Sequence, residues 1–114
     1  MKQPTEHAEQ VAVVNWLRKQ GIFVFSIPNE RNCSAITGKL LKDAGRVKGV
    51  ADLFIPKYKI FAELKVRKGG VQSKEQKNFE KSIKELGYHY ILCNGAKEAV
   101  DKIKELKNNG KHDS

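Results

Sequence analysis

Gly49-Val50-Ala51-Asp52-Leu53-Phe54-Ile55-Pro56-Lys57-Tyr58-Lys59-Ile60-Phe61-Ala62-Glu63-Leu64-Lys65 decides how this chain is read. Two short apolar runs flank a basic turn, the pattern of paired β-strands. Three charged residues stand where a buried strand should not carry them: Asp52 opens the first run, and Glu63 and Lys65 interrupt the second. Such residues either face solvent or form a site.

Strand alternation puts Phe61, Glu63, Lys65 and Arg67 on one face and Ala62, Leu64 and Val66 on the other. The aliphatic face is the core face, so Glu63 and Lys65 are expected to emerge together. With Lys57-Tyr58 as a two-residue turn, Asp52 pairs opposite Glu63 and Phe54 opposite Phe61. Directly opposite residues share a face, with Cβ atoms roughly 4.5–5.5 Å apart. Two carboxylates that close repel unless a cation or a proton lies between them. Hard oxygen ligands suit Mg²⁺ or Mn²⁺, and a neighbouring lysine stabilises negative charge on a phosphate or helps to orient a water. The trio has the parts for metal-assisted phosphodiester hydrolysis. Spacing alone fits a second reading equally: Glu63 and Lys65 as a solvent-facing polar pair, and Asp52 as a strand-start residue.

Outward from this stretch the chain alternates helices and strands. Thr5 caps a first helix that begins at Glu6, carries Ala8, Val11, Val14 and Leu17 at helical spacing, and ends at Gly21. Residues 22–27 read as a strand and 29–37 as a loop. Residues 38–45 read as a short helix stopped by Gly45. Beyond the motif, Ser73 to Leu86 is the strongest helix, with Phe79, Ile83 and Leu86 on one face, and Gly87 stops it. Residues 88–93 form a fourth strand, and a last helix carries Ala99, Val100, Ile103 and Leu106. The order is α-β-α-β-β-α-β-α, and four strands with helices on the sheet faces is the natural packing. A single domain is expected over residues 1–107, with a polar, disordered tail at 108–114.

Composition narrows the partners. Twenty-two Lys and Arg against 13 acids give a net charge of +9, and a domain this basic meets a polyanion, nucleic acid first. A lysine-rich solvated surface is the plainer account of the same charge. No apolar run is long enough to span a bilayer and no leader is visible, so a cytoplasmic protein is expected. Cys33 and Cys93 form no Cys-x-x-Cys pair, and His7, His89 and His112 are scattered, which gives no zinc pattern.

Glu63-Leu64-Lys65, preceded by an apolar strand and by Gly49-x-x-Asp52, resembles the PD-(D/E)XK nuclease superfamily. Glu6-His7-Ala8-Glu9-Gln10, Ile27-Pro28-Asn29, Gly45 through Phe54 and Ser73-Lys74-Glu75-Gln76, in that order, narrow the resemblance to the VRR-NUC family, in its stand-alone phage or bacterial type. The superfamily proline before the aspartate is replaced by Ala51, a change of backbone rather than of chemistry. The resemblance implies an α/β fold around a central four-stranded mixed β-sheet. It also implies Mg²⁺ or Mn²⁺ held by Asp52, Glu63 and the backbone carbonyl of Leu64, with Lys65 supporting the attacking water. Gln76 would stand beside the site, and Glu6 would approach the metal directly or through water. Two of these have plain alternatives: Gln76 completes a capping box with Ser73, and Glu6 favours the positive end of its helix. Glu9 is a rival for the place of Glu6.

Arg31, Lys39, Arg46, Lys48, Arg67 and Lys68, with Lys57 and Lys59, fit a phosphate-binding rim. The resemblance further implies a structure-selective endonuclease of branched DNA such as four-way junctions, a homodimer, no organic cofactor and no membrane association, in the cytoplasm of a bacterial or phage-infected cell. Phe61, Tyr58 or Ile36 could supply the dimer interface. A non-catalytic nucleic-acid-binding module, an exonuclease and a restriction-type enzyme are the alternatives.

Overall fold

A computed structural model describes residues 5–28, 35–65 and 71–109. Its elements follow the expected order: α1 (Glu6–Lys19), β1 (Phe25–Ser26), α2 (Ala35–Asp43), β2 (Leu53–Ile55), a 3₁₀ turn (Pro56–Tyr58), β3 (Ile60–Leu64), α3 (Lys74–Glu85), β4 (His89–Cys93) and α4 (Ala96–Asn109). The sheet order is β1-β2-β3-β4. β1, β2 and β3 pair antiparallel, and β3 pairs parallel with β4 across the α3 crossover. The chain is therefore α/β, a mixed four-stranded sheet flanked by helices.

Side-chain alternation divides the sheet into two packed faces. Leu53, Ile55, Ile60, Ala62, Leu64, Ile91 and Cys93 pack with Val13 and Leu17 of α1 and Ala99 and Ile103 of α4. On the other face Ile83 and Phe79 of α3 cover Ala51, Phe61, Tyr88, Tyr90 and Leu92. Helices stand on both faces, so a charged residue in β3 cannot reach open solvent simply by facing away from the aliphatic side.

Several local expectations change. The strand expected at 22–27 forms a ladder only at Phe25 and Ser26, which pair with Phe54 and Leu53. β2 ends at Ile55, and Pro56 has no N–H to donate, so residues 22–24 have no ladder partner although Ile22 and Val24 are buried. On α1 the buried pair is Val13 and Leu17, and Val11 is exposed, about 160° round the helix from Val13. α2 begins at Ala35, inside the expected loop. Leu86 is not part of the α3 core face: as the C-cap residue it is 75% exposed. α4 continues to Asn109, and the remainder of the expected tail lies outside the described residues.

At the outer edge of β4, Lys102 on α4 donates to the Leu92 carbonyl at 2.8 Å and pairs with Glu98 at 3.0 Å. No helix among the described residues is long and apolar enough to cross a membrane.

Burial pushes the Cys93 thiol from 9.0 up to about 12, with Lys102 drawing it down and Glu98 adding to the rise. The neutral thiol is the folded form. Its contribution is whole below pH 9 and is lost as pH rises towards 12, up to ~4 kcal/mol for about three pH units. Denaturant midpoints should fall between pH 9 and pH 12, and fall less in Cys93→Ala, which is less stable than the parent at neutral pH.

Candidate active site

The β2–β3 register is Leu53↔Ala62, Phe54↔Phe61 and Ile55↔Ile60, the pairing that sets Asp52 opposite Glu63. The connection is a 3₁₀ turn closed by Lys59 in the left-handed region, longer than a two-residue turn but with the same register. Asp52, just before β2, accepts the Leu64 N–H at 2.9 Å through Oδ2. A strand residue presents its N–H and C=O to the same side, so the Leu64 carbonyl also points towards Asp52. The Lys65 N–H donates to the Cys93 carbonyl at 2.8 Å, which extends the parallel ladder one residue past β3.

Glu63 lies on the expected face but does not emerge from it: the residue is 0% exposed. α3 covers it, and the Gln76 carboxamide donates through Nε2 to Glu63 Oε1. The same carboxamide accepts the Ser73 N–H through Oε1 at 2.8 Å, and Ser73 Oγ accepts the Gln76 N–H at 3.1 Å. Capping the helix and holding the carboxylate are thus two ends of one side chain, not alternatives. Gln76→Glu is expected to preserve the cap, because Glu also serves at N3, and to set a second carboxylate against Glu63. Helix content by circular dichroism should remain, while the thermal midpoint without metal falls, because two carboxylates then meet with no cation between them.

The Lys48–Gly49 turn rests directly on this helix start. Gly49 has φ +86°, and a Cβ there would lie 2.4 Å from the Glu75 carbonyl carbon and 2.6 Å from the Gln76 nitrogen. Only a residue without a side chain allows that approach. The turn carries its cations with it: Arg46, Lys48 and Lys65 line a cleft of about 380 Å³ with Ser73, Glu75 and Gln76. Gly45 at φ +104° closes α2, with the Arg46 N–H donating to the Leu41 carbonyl at 2.9 Å, and so delivers Arg46 to that cleft.

The local field is negative within a basic protein. Burial pushes the Tyr90 hydroxyl up to about 12; the Gln72 amide beside it acts in the opposite direction, and the charges of Glu63, Glu80 and Asp52 add to the rise. Two carboxylates and a carbonyl, all oxygen donors in such a field, suit Mg²⁺ or Mn²⁺, which need only one or two protein carboxylates and fill the remaining positions with water and phosphate. Among the described residues no third acid or imidazole joins the pair.

The other expected site residues are dispersed. Glu6 is exposed in the first turn of α1 and does not join the two carboxylates as a third acidic group. Glu9 is used elsewhere, accepting the Ala96 N–H at 3.3 Å at the start of α4. Lys39 pairs with Asp43 at 3.1 Å on exposed α2. Arg31, Arg67 and Lys68 lie outside the described residues. Of the expected interface residues, Phe61 and Tyr58 are half-buried and packed inward, and Ile36 alone is exposed. Sequence reasoning missed the part played by Gly49; the signal was a glycine three residues before Asp52 in a turn that has to meet a helix.

No protein-family model matches the chain, and no curated protein is similar to it. Its fold is similar to that of a solved structure described as a VRR_NUC domain protein, with a TM-score of 0.76 over 93% of this chain and 90% of that one, at 19% identity. At that identity the likeness is one of fold, and it is the VRR-NUC fold that the ordered motifs imply.

Proposed function

We propose, from a fold shared with a VRR_NUC domain protein, that this chain is a divalent-metal-dependent DNA endonuclease acting on branched DNA such as four-way junctions, as a homodimer. The observation that carries the reading is Glu63, wholly buried opposite Asp52 and held by Gln76, which itself lines the cleft that carries three cations. Asp52, Glu63 and the Leu64 carbonyl would hold Mg²⁺ or Mn²⁺, which when bound polarises a phosphate and makes a bound water acidic. Arg46 and Lys48 bind the phosphate backbone, and Lys65 offsets charge that develops on the scissile phosphate. Gln76 keeps Glu63 aimed while the cleft fills. A two-fold pair of subunits presents two such sites to a two-fold junction.

Cleavage of a labelled four-way junction beside a linear duplex, with and without Mg²⁺, tests this. Junction cleavage should require the metal, and Asp52→Ala should slow it by ~10³-fold while salt-sensitive binding persists. Undiminished cleavage by Asp52→Ala would displace the site. Salt-sensitive binding with no scission at any Mg²⁺ or Mn²⁺ concentration would instead assign the chain to the non-catalytic binding modules.

A further inference from the structure

α2 leads into the cation cleft, yet no residue from Ile36 to Asp43 is buried. Nine residues are too few for a helix to hold by its own hydrogen bonds, and Gly38 in its interior weakens it further. Helices of this length take their stability from a covered apolar face. Leu41 supplies the inner contact, lining a cleft of about 350 Å³ with Ile27, Pro28 and Val50. Ile36 and Leu40, one turn apart, form a stripe about 100–140° round the helix from Leu41. They are 75% and 64% exposed. The helix thus carries a second apolar face that no described residue covers.

Two observations bear on what covers it. From Ile36 to Lys48 the chain carries Lys39, Lys42, Arg46 and Lys48 against one acid, Asp43, so the stripe lies in a basic segment. The stripe is also tied to the candidate site. Gly45 closes the helix, and the Arg46 N–H donates to the Leu41 carbonyl at 2.9 Å. Arg46 and Lys48 then line the cleft with Lys65 and Gln76. DNA held by those two cations runs beside Leu40, the neighbour of that carbonyl. A second copy is the poorer occupant, because it brings the same cations to the contact. Two side chains on ~14 Å of helix also fall far short of the ~800 Å² per partner of a stable interface. Apolar side chains gain nothing from phosphates; they gain from base faces. Those faces are open where stacking is interrupted, whereas in a continuous duplex the stack has first to be opened.

We propose that Ile36 and Leu40 form an apolar wedge that packs on base faces where the DNA stack is broken, while Arg46 and Lys48 hold the adjoining phosphates. α2 is then the element that distinguishes interrupted from continuous duplex beside the candidate site. The inference rests on the DNA-binding part of the proposed function and not on cleavage.

Binding is read by fluorescence anisotropy on the full chain with EDTA present. The probes are a labelled blunt duplex and a DNA of the same length whose last ~10 base pairs are unpaired as a fork. The parent should prefer the fork by about tenfold, the scale of one or two buried apolar side chains. The double variant Ile36→Ala, Leu40→Ala should lose most of that preference and keep its blunt-duplex affinity. Alanine is the best helix former and both side chains are mostly exposed, so the variant should keep the parent's thermal midpoint. Leu40→Met, which keeps an apolar tip, should keep the preference. Lys48→Ala should instead weaken both DNAs alike and lower the salt slope by about one. A fork preference that survives the double substitution overturns the proposal, as does an equal loss on both DNAs or a parent without preference. A fall in mass of the double variant by light scattering would seat a second copy on the stripe and also overturn it. A preference lost in the double variant of a chain that never cleaves supports this inference while the nuclease reading fails. Metal-dependent cleavage with the preference kept in that variant does the reverse, and absence of all DNA binding removes both.

Discussion

Glu63→Gln is expected to abolish metal-dependent cleavage while leaving the fold intact. Glu63 is wholly buried between Ala62 and Leu64, themselves core residues, and its Oε1 accepts from Gln76. Glutamine has the same shape and can keep an oxygen towards the Gln76 amide, so the α3 contact survives. The other half of the new amide presents hydrogens where a cation needs an oxygen. Cleavage should fall by ~10³-fold, and the rise in thermal midpoint that Mg²⁺ or Mn²⁺ gives the parent should vanish. A variant that is both destabilised and active would mean that Glu63 is structural.

Gly49→Ala is expected to be more damaging than alanine at Gly21, Gly45, Gly87 or Gly95. The new carbon would meet backbone atoms of Glu75 at 2.4 Å, which cannot rotate aside as a side chain can. Residue 49 must also keep φ near +86°, a region that costs an L-residue ~1–2 kcal/mol. Relief of the clash displaces the first turn of α3, at a further ~1–3 kcal/mol. Displacing that turn carries Gln76 away from Glu63, and an error of ~1 Å in a positioned group is worth ~10²-fold in rate. Urea denaturation should show a loss of ~2–5 kcal/mol, and cleavage well below the transition should be reduced as well. Gly21→Ala is the control: its φ is also positive, at +73°, but nothing lies within 4 Å of the added carbon. It should lose only the backbone cost.

The two results together separate what the sequence states from what only packing supplies. Alternation and an even hairpin register were enough to set Asp52 opposite Glu63, because side chains two residues apart share a face whatever the exact turn. The depth of Glu63 was not legible. A strand pattern identifies a face but not whether a helix lies over it, and here Gln76 of α3 seals the carboxylate away. Val11 and Leu86 show the same limit on helices, where spacing selected exposed residues in place of Val13 or beside Ile83. Pro56 cut short a strand that looked six residues long, through a partner strand remote in sequence. The cleft was half legible: Arg46 and Lys48 were expected to meet phosphate, but their gathering with Lys65 depends on the Gly49 approach.

The ammonium of Lys102 has a bearing on how crowded solutions of this protein behave. Odd-numbered residues of β4 turn their backbone groups inward, since the His89 N–H and the Cys93 carbonyl both bond towards β3. The outward carbonyl of Leu92 is the acceptor a stray strand would need, and Lys102 already fills it, tethered by Glu98. The Asn94 N–H and Lys102 hold the Glu98 carboxyl below its ordinary 4.5. The tether therefore holds at neutral pH and slackens only in acid, as Glu98 takes up a proton. One side chain thus guards the open margin of the sheet against fibre-like stacking, and acidification is the condition that lowers the guard.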